Sequence, residues 1–392
     1  MTYDFDEIID RSRTGAEKNT GLETLYGNPD AIPLWVADMD FKAARPILDA
    51  IKERTKNGIF GYTVKADGYY DAVCSFQKRR KNWDIDKQLM SISLGVVPSI
   101  CMIIRELTRP DDKIIIQPPV YRPFYSAVMD AQRELLESPL KEADGRYYMD
   151  YGDIEEKARQ GAKYIILCSP HNPVGRVWSG DELELLGKIC VKYGIKVIAD
   201  EIHSDLILWG NKHTPFSSIS EELRKLTITC VAASKTFNLA GLQSSVVIFP
   251  DAGTKASFDR AWERLHIECN NVFSLVSTQA AYEHGEEWLD QLIPYIEGNI
   301  TMVMDYMKKN IPLIKPIRPE GTYLIWLDCR QLGMTGMQLT DFMVHKAGIA
   351  MSAGTYFGKN GEGHMRMNVA CPRATVEKAL RQLKTAVGQQ II

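Results

Sequence analysis

The chain has 392 residues, enough for two or three domains around a sizeable core, and its 45% hydrophobic and 25% charged content is that of an ordinary globular protein. A net charge of -3 without any basic run gives no reason to expect a nucleic-acid partner. No apolar stretch reaches the ~18–20 residues that cross a bilayer, and the acidic opening Met1–Asp10 lacks a basic-then-apolar signal, so the cytoplasm is expected.

The eight cysteines, Cys101 and Cys269 among them, form no Cys-x-x-Cys and read as reduced core residues. The seven histidines show no ligand spacing, so no metal is expected. In chain order, the first marked stretch is Pro33-Leu34-Trp35-Val36-Ala37-Asp38-Met39-Asp40-Phe41, two aspartates in a loop with an aromatic anchor. Pro46 to Lys56 reads as a helix with proline in its first turn. A glycine-bracketed loop, Gly58 to Thr63, presents aromatics, and a helix over about 68–81 spaces Tyr70, Val73 and Phe76 as core residues.

Next comes the stretch Met90 to Ser99, which reads as a short strand, then Gly95 and a helix opening with Pro98. Unpaired N–H groups and the positive end of the helix dipole suit a phosphate there, and glycine lets the backbone approach it. A second buried strand, Lys113 to Gln117, ends in Pro118-Pro119-Val120-Tyr121, with Tyr121 opening a helix where ligands of α/β sheets lie. The grammar repeats. Lys163 to Cys168 runs into Ser169-Pro170-His171-Asn172-Pro173-Val174-Gly175, Ile195 to Ala199 into Asp200-Glu201-Ile202-His203, and Leu226 to Val231 towards Ser234-Lys235. Helices such as 181–193 separate these apolar strands, which predicts a mostly parallel sheet covered on both faces. Polar stations at successive strand ends predict one site assembled from many loops.

Beyond Phe249 the pattern turns helical, and 278–310 reads as helix broken near Pro294. A smaller α+β part follows: strand 323–327, a helix near 337–346, a strand near 349–351, a glycine-rich loop at 358–363, strand 365–369 and a last helix over 374–387. The expected division is a large domain, residues 49–287, and a small domain made of 1–48 with 288–392.

Lys235 emerges from a buried strand where water is scarce. Desolvation disfavours its ammonium, so its pKa should fall and its amine serve as nucleophile or base. A buried lysine, a strand-end aspartate and asparagine, a helix-N-terminal phosphate site and a stacking tyrosine together make the set that pyridoxal phosphate needs. The lysine anchors the aldehyde, and an ionised carboxylate keeps the pyridine nitrogen protonated so that the ring accepts carbanion electrons. A donor meets the phenolic oxygen and an aromatic meets the ring face.

The order Asn172-Pro173-x-Gly175, Asp200-x-x-His203, Ser234-Lys235 resembles the fold-type I pyridoxal phosphate enzymes of the aspartate aminotransferase superfamily. Within it, Trp35 to Phe41, Asp200 to Asp205, Ser234 to Gly241 and Pro319-Glu320-Gly321-Thr322-Tyr323 resemble the MalY/PatB group of bacterial carbon–sulfur β-lyases. The resemblance implies Lys235 as cofactor anchor and base, Asp200 at the pyridine nitrogen, and Asn172 and His203 at the phenolic oxygen. It further implies Tyr121 stacked on the ring, and the Val96 and Val97 amides with the Ser234 hydroxyl on the phosphate. Tyr62 would reach that phosphate from the second subunit of a homodimer. Arg366 would grip the substrate carboxylate as a bidentate pair, with Trp35 and Ala37 beside the substrate. One position departs from the wider superfamily: Gln243 stands where aminotransferases commonly carry a phosphate-clamping arginine. The implied activity is α,β-elimination on cystathionine, cysteine or related S-conjugates, giving pyruvate, ammonia and a thiol. Two alternatives stay open: an aminotransferase with a keto acid acceptor, and a regulatory protein that binds a transcription factor.

Overall fold

The computed structural model describes residues 1–267 and 270–390, so Cys269 lies outside the described residues. The site is carried by a seven-stranded sheet whose spatial order is Met90–Ser93, Ser245–Ile248, Thr227–Val231, Lys196–Asp200, Ala162–Cys168, Lys113–Ile116 and Glu134–Glu137. The five strands from Thr227–Val231 to Glu134–Glu137 pair in parallel. Ser245–Ile248 runs antiparallel to both of its neighbours. Alternate residues of the central strands enter two different cores: Ile114, Ile116, Ile166 and Ile198 on one face, Ile115, Ile165, Leu167 and Val197 on the other. Both faces are therefore apolar, and the strands read as continuous β-branched runs without polar alternation.

A four-stranded antiparallel sheet follows, in the order Lys315–Ile317, Leu324–Asp328, His364–Asn368 and Ser352–Ala353. The start of the chain returns to this end, because Ile32–Pro33 pairs in parallel with Ile349–Ala350. The large sheet's functional loops and the small sheet's Arg366 thus face a common space.

Several expectations are corrected. Pro294 lies inside the continuous helix Glu286–Asn310, and the break falls earlier, at Gly285 after Val272–His284. A side chain at Gly285 would meet the Ala281 carbonyl and the Phe237 ring, each 2.5 Å from its Cβ. The lost N–H of Pro294 is tolerated because Leu289, Leu292, Ile296 and Ile300 hold that helix in the core. In the helix Asp67–Lys81 the buried face includes Tyr69, Val73 and Phe76, whereas Tyr70 is only half-buried. Tyr121 precedes its helix, which begins at Pro123 because proline suits a first turn. Cys101 is exposed on the helix Val96–Leu107, not in the core, and Cys74 is half-buried. Among the described residues, no helix is long and apolar enough to cross a membrane.

Candidate active site

A cavity of about 1020 Å³ opens between the carboxyl ends of the large sheet and the small sheet. Lys235 enters it from the short helix Ala233–Thr236, immediately beyond the buried strand Thr227–Val231. Its Nζ donates to the Ala37 carbonyl at 2.7 Å, and the Tyr323 hydroxyl donates to the same oxygen at 2.9 Å. Burial, reinforced by the Arg366 charge, lowers the amine's pKa to about 8, while Asp38 and Asp200 pull the other way.

Asp200 ends the strand Lys196–Asp200 and is 4% exposed. Its Oδ1 accepts from the Ile202 N–H at 3.1 Å. Burial raises this carboxyl to about 7, so the ionised state expected from the sequence needs a cation brought against it. His203 is fully buried against the Tyr323 ring, 6.2 Å between centroids, and its Nδ1 has no protein partner. Burial and the charges of Lys235 and Arg366 lower its pKa to about 3, which keeps the imidazole neutral.

Arg366 projects from the strand His364–Asn368 and is 4% exposed. Its Nη1 donates to Asn172 Oδ1 at 3.0 Å, and its Nη2 to the Trp35 carbonyl at 2.8 Å and Ser352 Oγ at 3.1 Å. The guanidinium carbon lies 4.9 Å from the Phe357 ring centroid, and Nε–H has no protein partner. No carboxylate neutralises this buried cation among the described residues. An uncompensated buried guanidinium costs free energy unless an anion arrives.

Tyr121 lines the same cavity, and burial pushes its hydroxyl up to about 12. Val96 and Val97 open the helix Val96–Leu107, where first-turn N–H groups lack intrahelical acceptors. Ser234 and Gln243 complete that end. The structure thus brings together Lys235, Asp200, Asn172, His203, Tyr121, Val96, Val97, Ser234, Arg366, Trp35 and Ala37. Tyr62 it does not: it stands 99% exposed in the loop before Asp67, outside the cavity of its own chain.

What sequence reasoning missed is how the Trp35–Phe41 strap is held. Asn238 accepts from the Met39 N–H at 2.9 Å and donates to the Met39 and Phe41 carbonyls at 3.0 and 2.9 Å. Asn368 donates to the Val36 and Asp38 carbonyls at 2.6 and 2.7 Å. Asp38 and Asp40, which looked like loop polarity, pair with Arg11 and Lys18. Both asparagines lie inside motifs already quoted or beside Arg366. A short amide side chain able both to donate and to accept was the available signal.

The family model described as aminotransferase class I and II matches residues 30–383. The chain belongs to that family. Among the aminotransferase class I and II proteins it is similar to cystathionine beta-lyase PatB of Bacillus subtilis, 42% identical over 385 residues, covering 98% of this chain and 100% of that one. The crystal structure of a PLP-bound putative aminotransferase from Clostridium difficile 630 superposes with a TM-score of 0.97 at 48% identity, covering 98% and 100% of the two chains. That of the PLP-bound C–S lyase from Staphylococcus hominis gives 0.91 at 34% identity, with 100% of both chains covered. The architecture is fold-type I.

Proposed function

We propose that the protein is a pyridoxal phosphate-dependent carbon–sulfur β-lyase, acting by α,β-elimination on cystathionine, cysteine or a related S-conjugate. The observation that carries this is a depressed, buried Lys235 amine sharing one cavity with a buried carboxyl and an uncompensated buried arginine. The residues fit the cofactor. Asp200, raised to about 7 without a cation against it, returns to the ionised state beside a protonated ring nitrogen. Tyr121 offers a ring face, the Val96 and Val97 N–H groups with the Ser234 hydroxyl suit a phosphate, and Asn172 and His203 suit the phenolic oxygen. Pyridoxal phosphate, when bound, supplies an electron sink that acidifies the substrate Cα–H and permits loss of the β-substituent.

The chain does the rest. Arg366 binds the α-carboxylate, gaining the anion that its Nε–H and buried charge lack. The Ala37 carbonyl aims Lys235 Nζ, which anchors the cofactor and takes the proton from the substrate Cα. A pKa of about 8 leaves a working fraction of neutral amine near neutrality. The β-thiolate departs with its bonding electrons, and the enamine product takes up water to give pyruvate and ammonia.

The reading extends to a homodimer in which Tyr62, exposed in its own chain, reaches the partner's phosphate site. It also includes a cytoplasmic location and the division into a large domain, residues 49–287, and a small domain, 1–48 with 288–392. The pairing of Ile32–Pro33 with Ile349–Ala350 supports that division. An aminotransferase is the second reading, favoured by the name of the Clostridium difficile neighbour. Against it stands Gln243, where a neutral side chain gives a weaker phosphate clamp.

The test is pyruvate and thiol released from cystathionine by the cofactor-loaded protein without any keto acid. Equal amounts of both, abolished in Lys235→Ala, are expected. Amino-group transfer that appears only with added keto acid would overturn the lyase reading in favour of the transaminase.

A further inference from the structure

Residues 8–15 have no regular structure and run along the mouth of the cavity, where Arg11 and Gly15 line it. Among the described residues, every hydrogen bond from this segment to a later part of the chain is made by Arg11. Its Nη2 meets Asp38 Oδ2 at 2.6 Å and its Nη1 meets Asp40 Oδ1 at 2.6 Å, with Nη1 also 3.3 Å from Asp38 Oδ1. Lys18, only 1% exposed, closes the cluster at 2.8 Å from Asp40 and 3.4 Å from Asp38. Two cations therefore face two carboxylates on a strap where the carbonyl of Ala37, the residue just before Asp38, accepts from the Lys235 amine.

We propose that Arg11 is a positioning residue for Lys235: it ties the N-terminal segment to Asp38 and Asp40, and so holds the Ala37 carbonyl and a compensated Asp38 beside the amine. This deepens the lyase reading and rests on it. The groups facing Lys235 are Asp38 from the strap, Asp200 at its strand end and His203 in the loop beyond it, the Tyr323 hydroxyl on the same Ala37 oxygen, and Arg366 from the small sheet. Arg11 acts on this set through Asp38. Without the guanidinium, Asp38 keeps Lys18 alone, its field at Lys235 strengthens, and the protonated nitrogen is favoured. Without the Asp38 charge the opposite follows. A merely structural contact would move both variants the same way.

The experiment uses the cofactor-loaded enzyme and three variants, Arg11→Met, Arg11→Lys and Asp38→Asn. The readouts are the pH midpoint of the cofactor's visible absorbance and the rate of tryptic cleavage after Arg13. Arg11→Met should raise the midpoint by on the order of half a unit and speed cleavage several-fold, and Arg11→Lys should restore most of both. Asp38→Asn should lower the midpoint. An unchanged midpoint and cleavage rate in Arg11→Met, or shifts of the same sign in Arg11→Met and Asp38→Asn, would overturn the proposal. If Arg11→Met does not fold, Arg11→Gln takes its place, and its midpoint shift must still be opposite in sign to that of Asp38→Asn. Failure of the wild-type protein to bind the cofactor would instead sink the lyase reading, and the cleavage rates would still report whether Arg11 fastens the segment.

Discussion

Asp200 and Lys235 are buried in one cavity, and desolvation pushes each towards neutrality: the carboxyl up to about 7, the amine down to about 8. The consequence for stability is signed. Between the ordinary value of 3.8 and about 7, the folded cofactor-free protein holds a proton on Asp200 that the unfolded chain has lost. Stability therefore falls as pH rises through that window. The Lys235 window, from about 8 to 10.5, lies above it and has the opposite slope, because there the unfolded chain binds the extra proton. Cofactor-free Asp200→Asn should accordingly melt a few degrees above cofactor-free wild type at about pH 8, with the gap closing towards about pH 4, as thermal unfolding would read. The same variant should lose most pyruvate production. A lower melting temperature for Asp200→Asn at the higher pH would contradict the burial argument. At this scale much was legible, since Lys235, Asp200 and Asn172 announce themselves by sitting where apolar runs end, whereas Arg366, inside the strand His364–Asn368, stood out only through the family resemblance. Asn238 and Asn368 did not, because a side chain that satisfies backbone groups of a distant loop leaves no periodic or charge signal of its own.

Elements hold the site as firmly as its residues do. Lys81, last in the helix Asp67–Lys81, buries its amine against Asp205 Oδ1 at 2.6 Å and donates to Ser204 Oγ at 2.7 Å. Asp205 Oδ2 in turn accepts from Thr236, the neighbour of Lys235, at 2.7 Å. One helix end therefore fixes the loop after Asp200 to the segment that bears the lysine. Truncating one partner of a buried pair leaves the other charge stranded, so Lys81→Met should cost about 3–5 kcal/mol in a denaturant titration. Adding Asp205→Asn should recover part of that loss, and a double variant no better than the single would reject the pairing as its cause. Helices and parallel strands were readable from period and apolar runs. The buried antiparallel strand Ser245–Ile248 was not, because four residues are too few to show a period, and nor were the parallel edge strand Glu134–Glu137 and the short strands of 141–148, whose exposed or mixed faces carry little pattern. Pro294 misled for a physical reason: packing of the long helix outweighs the one backbone hydrogen bond that proline forgoes.

For the whole molecule, the exposed loop with Ile59, Phe60, Tyr62 and Val64 is the feature a homodimer would use. If Tyr62 completes the partner's site, Lys235→Ala and Tyr62→Ala subunits should rescue each other. Random reassociation makes half the dimers mixed, each with one intact site, so about a quarter of wild-type activity should return on mixing two nearly inactive proteins. No recovery, with exchange verified by mass, would place Tyr62 outside the shared site. The strap has a further consequence, for synthesis. Its hydrogen-bonding partners Asn238 and Asn368 lie 199 and 332 residues further along the chain, counted from Met39 and Val36. At about 5–20 residues per second, the ribosome releases Trp35 to Phe41 tens of seconds before the last of those partners exists. The first forty residues must then wait, undocked, while both sheets emerge behind them, and the lysine meets its carbonyl only when translation is nearly over.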